Sequence, residues 1–123
     1  MKIDNNAALA TISGFDTMTT VSGNGGVKIF GNNAVGTIAG FSKLATIGST
    51  LEIHDNPLLS SLDASNGFEA LTGLGSHIQI YSNPSLSSMG GFTALTTANA
   101  SVFIHDNGPA DHLRLPEPDR HRR

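Results

Sequence analysis

The stretch Leu51–Leu62, LEIHDNPLLSSL, returns with few changes as Ile78–Met89, IQIYSNPSLSSM. Each begins with apolar residues at alternate positions, reaches an Asn, and then sets an apolar residue at every third position. Working outward, the same pattern occurs in MKIDNNAALATISGFDTMTTV, in VKIFGNNAVGTIAGFSKLATI and in a shortened VFIHDNGPADHL. The copies start at Met1, Val27, Leu51, Ile78 and Val102, so the steps are 26, 24, 27 and 24 residues. A period of this length marks a solenoid, whose repeats bury their apolar faces only by stacking on one another. The added length of the third copy falls at Asp63–Asn66, DASN, and reads as a loop insertion.

The apolar spacing decides the local structure. In the second copy the apolar residues are Val27, Ile29, Val35, Ile38, Phe41, Leu44 and Ile47, with Asn32 completing a spacing of three. An amphipathic helix needs a period of about 3.6 and a lone strand a period of 2. A sustained spacing of three fits neither, and predicts a coil. The chain makes a short strand, turns at the Asn, and sends every third side chain into a flattened core. Successive coils then stack at roughly 4.8 Å, the distance between hydrogen-bonded strands.

Stacked coils place like residues in columns. Phe15, Phe41, Phe68 and Phe92 form one, and Asn6, Asn32, Asn56, Asn83 and Asn107 form another. Leu9, Val35, Leu59 and Leu86 make a third, which Ala110 matches poorly. A Gly precedes each Phe (Gly14, Gly40, Gly67, Gly91), which points to a turn that a β-carbon would obstruct. The Asn column is read as a structural ladder, its amides bonded to the backbone and to each other. Each Phe ring buries on the order of 150–250 Å², making its column a main contributor to coil-on-coil stability.

The full pattern, L-x-I-x-x-N-x-x-L-x-x-L-x-G-F-x-x-L-x-x-I-x-G, resembles the receptor L domain, most clearly over Leu51–Phe68 and Ile78–Phe92. The resemblance implies an all-β, leucine-rich-repeat-like, right-handed β-helix (β-solenoid) of about 4.5 coils with at most short helical turns. The solenoid is expected over residues 1–107, and residues 108–123 are expected to form a C-terminal cap and a disordered Pro/Arg tail. It also implies an extracellular or cell-surface protein of the kind found in receptor ectodomains and cell walls.

Charge and composition narrow the function. Residues 1–107 carry three Lys and seven acids, a net charge of −4, while all four Arg (Arg114, Arg120, Arg122, Arg123) lie in the last ten residues. Such a body lacks the cationic footprint that phosphate backbones require, so no nucleic-acid partner is expected. No apolar run is long enough for a membrane span, and the absence of Cys leaves no disulfide or thiolate chemistry. The sequence contains no G-x-S-x-G, phosphate loop or H-E-x-x-H, and no Arg within the coils to accompany its carboxylates. The chain is therefore read as non-enzymatic, without cofactor or metal. Two coils separate His54 from His105, roughly 9.6 Å, too far to share a zinc at about 2.1 Å.

What remains is an outward column of Asp4, Phe30, His54, Tyr81 and His105 beside one of Lys2, Lys28, Glu52, Gln79 and Phe103. Rings supply contact area and polar groups supply direction, as a protein- or carbohydrate-binding face needs. The candidate ligand-binding residues are Phe30, His54, Tyr81, Phe103, His105, Lys28, Glu52 and Gln79. The alternative is a structural spacer in a surface or cell-wall array whose outward rings are incidental. More distant readings are an ice-binding solenoid and a carbohydrate-active β-helix enzyme. For ice binding the pattern offers outward Thr11, Thr37, Ser61 and Ser88, with Thr19, Thr20, Thr46, Thr72, Thr96 and Thr97 on another side. Ala45, Gly73 and the Ser substitutions break these arrays, and Thr also suits any exposed pleated surface.

The ends carry further expectations. Pro109, Pro116 and Pro118 interrupt the fifth copy and close that strand edge, whereas nothing blocks the strand MKI. The chain is thus expected to be part of a longer array or to self-associate through its first coil, with surface display depending on sequence before Met1. Asn99-Ala100-Ser101 is a glycosylation sequon.

Overall fold

A computed structural model describes residues 1–62, 68–89, 92, 94, 95 and 101–108. The DASN insertion, Gly67, Gly91, Thr96, Thr97, the Asn99 sequon, Ala110 and the tail from Pro109 onward lie outside the described residues.

Among the described residues there are ten strands: β1 Lys2–Asp4, β2 Thr11–Ile12, β3 Thr20–Val21, β4 Val27–Phe30, β5 Thr37–Ile38, β6 Thr46–Ile47, β7 Leu51–His54, β8 Gly73–Leu74, β9 Ile78–Tyr81 and β10 Val102–His105. They form a β-solenoid of parallel strands, with no helix among the described residues. The main sheet has five strands in the order β1-β4-β7-β9-β10, one from each coil. Its register is unbroken: Ile3 lies beside Ile29, Ile29 beside Ile53, Ile53 beside Ile80 and Ile80 beside Ile104. Parallel neighbours need a long crossover between them, and here the remainder of each coil is that crossover.

The main sheet is one of three strand-bearing sides of the coil. Two further sheets line it, one of β2 and β5 and one of β3, β6 and β8. The first is extended by single bridges from Thr37 to Ser61 and from Ser61 to Ser88. Of the residues spaced by three in the second coil, Ile38 and Ile47 fall in these short strands, and Val35, Phe41 and Leu44 in the segments between them. Within β4, β7 and β9 the alternation of the strand takes over, with the first and third residues buried and the second and fourth partly exposed.

Val35, Ile38, Phe41 and Leu44 are wholly buried, as are Leu59, Leu62, Phe68 and Leu71 one coil on. The four Phe rings stack face to face, with centroids 5.1, 5.1 and 5.6 Å apart along the column. Gly40 makes the approach to that column possible: its φ is +88°, and a β-carbon there would lie 2.8 Å from the Gly14 nitrogen of the coil beneath. Gly26 has φ +66° and is pressed against the Thr50 carbonyl. The first coil is less enclosed than those above it: Met1, Ile3, Leu9, Phe15, Met18 and Val21 are only partly buried.

The Asn column closes the turn after each main-sheet strand. The backbone N–H groups of Asn6, Asn32, Asn56 and Asn83 each donate to the side-chain oxygen of the next Asn, at 3.1, 3.2, 3.1 and 3.2 Å. Each side-chain nitrogen reaches back one coil to a carbonyl: Asn32 to Ile3, Asn56 to Ile29, Asn83 to Ile53 and Asn107 to Ile80. Asn32, Asn56 and Asn83 have no exposed surface, so these bonds satisfy buried turn groups that water does not reach.

Candidate functional site

The outward side of the five-stranded sheet carries both candidate columns in register. Asp4 lies beside Phe30, Phe30 beside His54, His54 beside Tyr81 and Tyr81 beside His105. Lys28 lies between Lys2 and Glu52, and Gln79 lies between Glu52 and Phe103. All eight candidate residues therefore share one face.

Strand spacing forces the rings of the first column together, and they stack. Phe30 and His54 have centroids 4.9 Å apart at 8°, His54 and Tyr81 4.5 Å at 5°, and Tyr81 and His105 5.0 Å at 12°. Lys2 Nζ covers Phe30 at 5.8 Å from its centroid. Both faces of the His54 and Tyr81 rings are thus occupied by neighbouring rings, and each turns an edge outward. The consequence is chemical: His54 and Tyr81 offer hydrogen-bonding edges, without the open ring faces on which a sugar stacks. Tyr81 also stands between His54 and His105.

Two carboxylates fix the imidazoles. His54 Nδ1 donates to Asp55 Oδ2 at 2.7 Å, and His105 Nδ1 donates to Asp106 Oδ2 at 2.9 Å. A carboxylate only accepts, so the Nδ1 hydrogen is assigned and Nε2 is the outward atom. Glu52 Oε1 lies 3.8 Å from His54 Nε2, and Glu52 Oε2 lies 4.0 Å from Lys28 Nζ. Glu52 and Asp55 thus flank His54 from opposite edges. The Tyr81 phenol is held above its ordinary value of 10.0, chiefly by burial, with the charges of Asp55 and Glu52 adding to the effect.

Phe103 differs from the stacked rings. It is 46% exposed and meets His77 edge-on, at 5.8 Å and 86°. Beyond the ladder the face runs into an open groove along the turns, lined by Asn33, Asp55, Pro57, Ser82, Pro84 and Asp106. The Asp55 and Asp106 side chains are 58% and 77% exposed, so the groove has an acidic rim.

The turn column behind that rim was not foreseen from the sequence. Asn5, Gly31, Asp55, Ser82 and Asp106, the residues preceding each ladder Asn, all have positive φ, between 56° and 68°. Left-handed backbone is tolerated by Gly and, among other residues, mainly by Asn and Asp. The signal was present as a column of short residues, four of them of tolerant type. This kink turns the chain inward at the ladder and leaves Asp55 and Asp106 beside the histidines that precede them.

The two Thr-bearing sides are also in register: Thr11 pairs with Thr37 on one, and Thr20 with Thr46 on the other. The regularity of the second ends at Gly73, which takes the Thr position beside Thr46. No protein family, curated protein or solved structure matches the chain.

Proposed function

We propose that this chain is a non-catalytic recognition module of the receptor-L-like kind, displayed outside the cell or at its surface, and that it binds a protein through the five-stranded sheet. The observation that carries this reading is the ordered outward face, where a fixed ladder of ring edges stands beside the exposed Phe103 and a turn groove edged by Asp55 and Asp106. Protein is favoured over glycan because His54 and Tyr81 have no ring face to offer.

Size constrains the partner. Five strands at about 4.8 Å and four residues at about 3.3 Å give a face of roughly 300 Å², against about 800 Å² per partner in a standard interface. A specific partner must extend past the sheet into the groove, where the acidic rim selects basic side chains. The test is a protein and glycan binding screen with the native chain and the Tyr81→Ala, Phe30→Ala and Phe103→Ala variants, repeated at raised salt. Loss of a protein ligand in the variants, with weaker binding in salt, is expected; binding that ignores all three substitutions would defeat the reading.

A second reading, the structural spacer, is favoured by the same stacking. Rings whose faces are spent on one another cement successive coils whether or not a ligand exists. A chain that binds nothing in the screen, yet loses stability on Tyr81→Ala, is a spacer.

A further inference from the structure

The dipeptide Asn-Gly occurs three times, at Asn24–Gly25, Asn66–Gly67 and Asn107–Gly108; the second lies outside the described residues, and the other two are in opposite settings. Asn24 and Gly25 are exposed, in the bend that leads from the first coil into β4. A β-carbon on Gly25 would find only the Met1 nitrogen nearby, at 3.9 Å, and among the described residues no hydrogen bond takes up the Gly25 N–H. Asn107 is 9% exposed and tied into the ladder. Its Oδ1 accepts from Asn83 N at 3.2 Å and Asn83 Nδ2 at 3.0 Å, and its Nδ2 donates to Ile80 O at 3.0 Å. The Gly108 N–H donates to Asn83 O at 3.3 Å.

We propose that Asn24 is a site of spontaneous deamidation in the folded chain, producing aspartate and isoaspartate, and that the ladder protects Asn107 from the same reaction. The Gly25 backbone nitrogen gives its proton to a base and bonds to Asn24 Cγ. The Cγ–Nδ2 bond breaks, and the amide leaves as ammonia, giving a cyclic succinimide. One water then opens the ring. Addition at Cγ yields aspartate; addition at the main-chain carbonyl yields isoaspartate, in which the backbone runs through Cγ. Three conditions favour the closure: a mobile side-chain amide, a next residue without a β-carbon, and an available N–H. Asn24 meets all three. At Asn107 the amide is held at both ends and the nucleophilic nitrogen is bonded, so a local opening of the ladder must come first.

The product has a local consequence. It adds a negative charge beside the Met1 ammonium group, which donates to Gly26 O at 2.8 Å. It also lengthens the backbone within the exposed bend, one residue before Gly26, whose close approach to the Thr50 backbone leaves no room for a β-carbon.

The experiment holds the full chain at mildly alkaline pH and follows both peptides by mass spectrometry, using electron-based fragmentation to separate isoaspartate from aspartate. In the folded chain Asn24 should convert more than about tenfold faster than Asn107, with the two rates coming within about tenfold in strong denaturant. Gly25→Ala should slow conversion at Asn24 while leaving the β-sheet spectrum unchanged. An Asn24 that persists in the folded chain but converts in denaturant, or an Asn107 that keeps pace with Asn24 when folded, overturns the proposal.

Discussion

The two sides of the five-stranded sheet obey opposite rules. Inward, the side chains stay aliphatic from coil to coil, Val27, Leu51, Ile78 and Val102 at one position and Ile3, Ile29, Ile53, Ile80 and Ile104 at the next, followed at the turn by the Asn ladder. Outward, the same strands carry Asp4, Phe30, His54, Tyr81 and His105, and the second column runs from Lys2 to Phe103. The inner side must fill a space of constant shape, because each coil meets nearly the same coil above and below. The outer side meets no such template; its residues need only stack at strand spacing, and several ring types do that. Repetition in this molecule thus records packing, and variety marks the surface open to other uses.

The largest expected effect tests the inner side. Phe41 is wholly buried with Phe15 on one face and Phe68 on the other, so Phe41→Ala should cost about 3–5 kcal/mol in denaturant unfolding. A cost below about 1 kcal/mol would erase the distinction between the two sides. Next comes Asn56→Ala, which deprives the Asn32 N–H and the Ile29 carbonyl of their partner. Each buried group left unpaired costs about 1–3 kcal/mol, and hydrogen exchange at the Asn32 amide should accelerate.

On the outer side Tyr81→Ala removes two ring contacts, each worth about 0.5–1.5 kcal/mol beyond area burial, and should abolish ligand binding. Tyr81 also gives the face a pH signature. The folded chain holds the phenol above its ordinary 10.0, so folding favours the neutral form. The stability this confers is intact below pH 10 and is lost as pH rises through the higher folded value. Phe cannot ionise, so in alkaline unfolding curves the native chain should lose stability relative to Tyr81→Phe as pH rises through that range. Smallest of all is Lys28→Ala, whose contact with Glu52 is partly exposed and 4.0 Å long; a change below about 0.5 kcal/mol in thermal melting is expected.

The same contrast explains what the sequence reveals. The solenoid, its coil starts and both outward columns follow from the apolar spacing of three and the recurring Phe and Asn, because packing imposes residue identity at those positions. The three-sided cross-section was harder to read, since β2, β3, β5, β6 and β8 are two residues long and too short for strand alternation to show. The positive-φ column was missed for a different reason. It demands a backbone angle, which Asn, Gly, Asp and, at one position, Ser adopt here, so no single letter repeats. The face-to-face occupation of the rings follows from strand spacing, and it leaves His54 and Tyr81 only their edges to present.

The Asn ladder has one more implication. The backbone N–H groups of Asn6, Asn32, Asn56 and Asn83 all aim at the following turn, and the side-chain nitrogens also reach back to the preceding one, so the row has a head and a tail, like a line of arrows. Any additional turn that prolongs this row has to be laid down in the same sense, because an inverted unit would set acceptor against acceptor at one end of the row or donor against donor at the other. An assembly built by extending this bonding is therefore polar, with two chemically different ends.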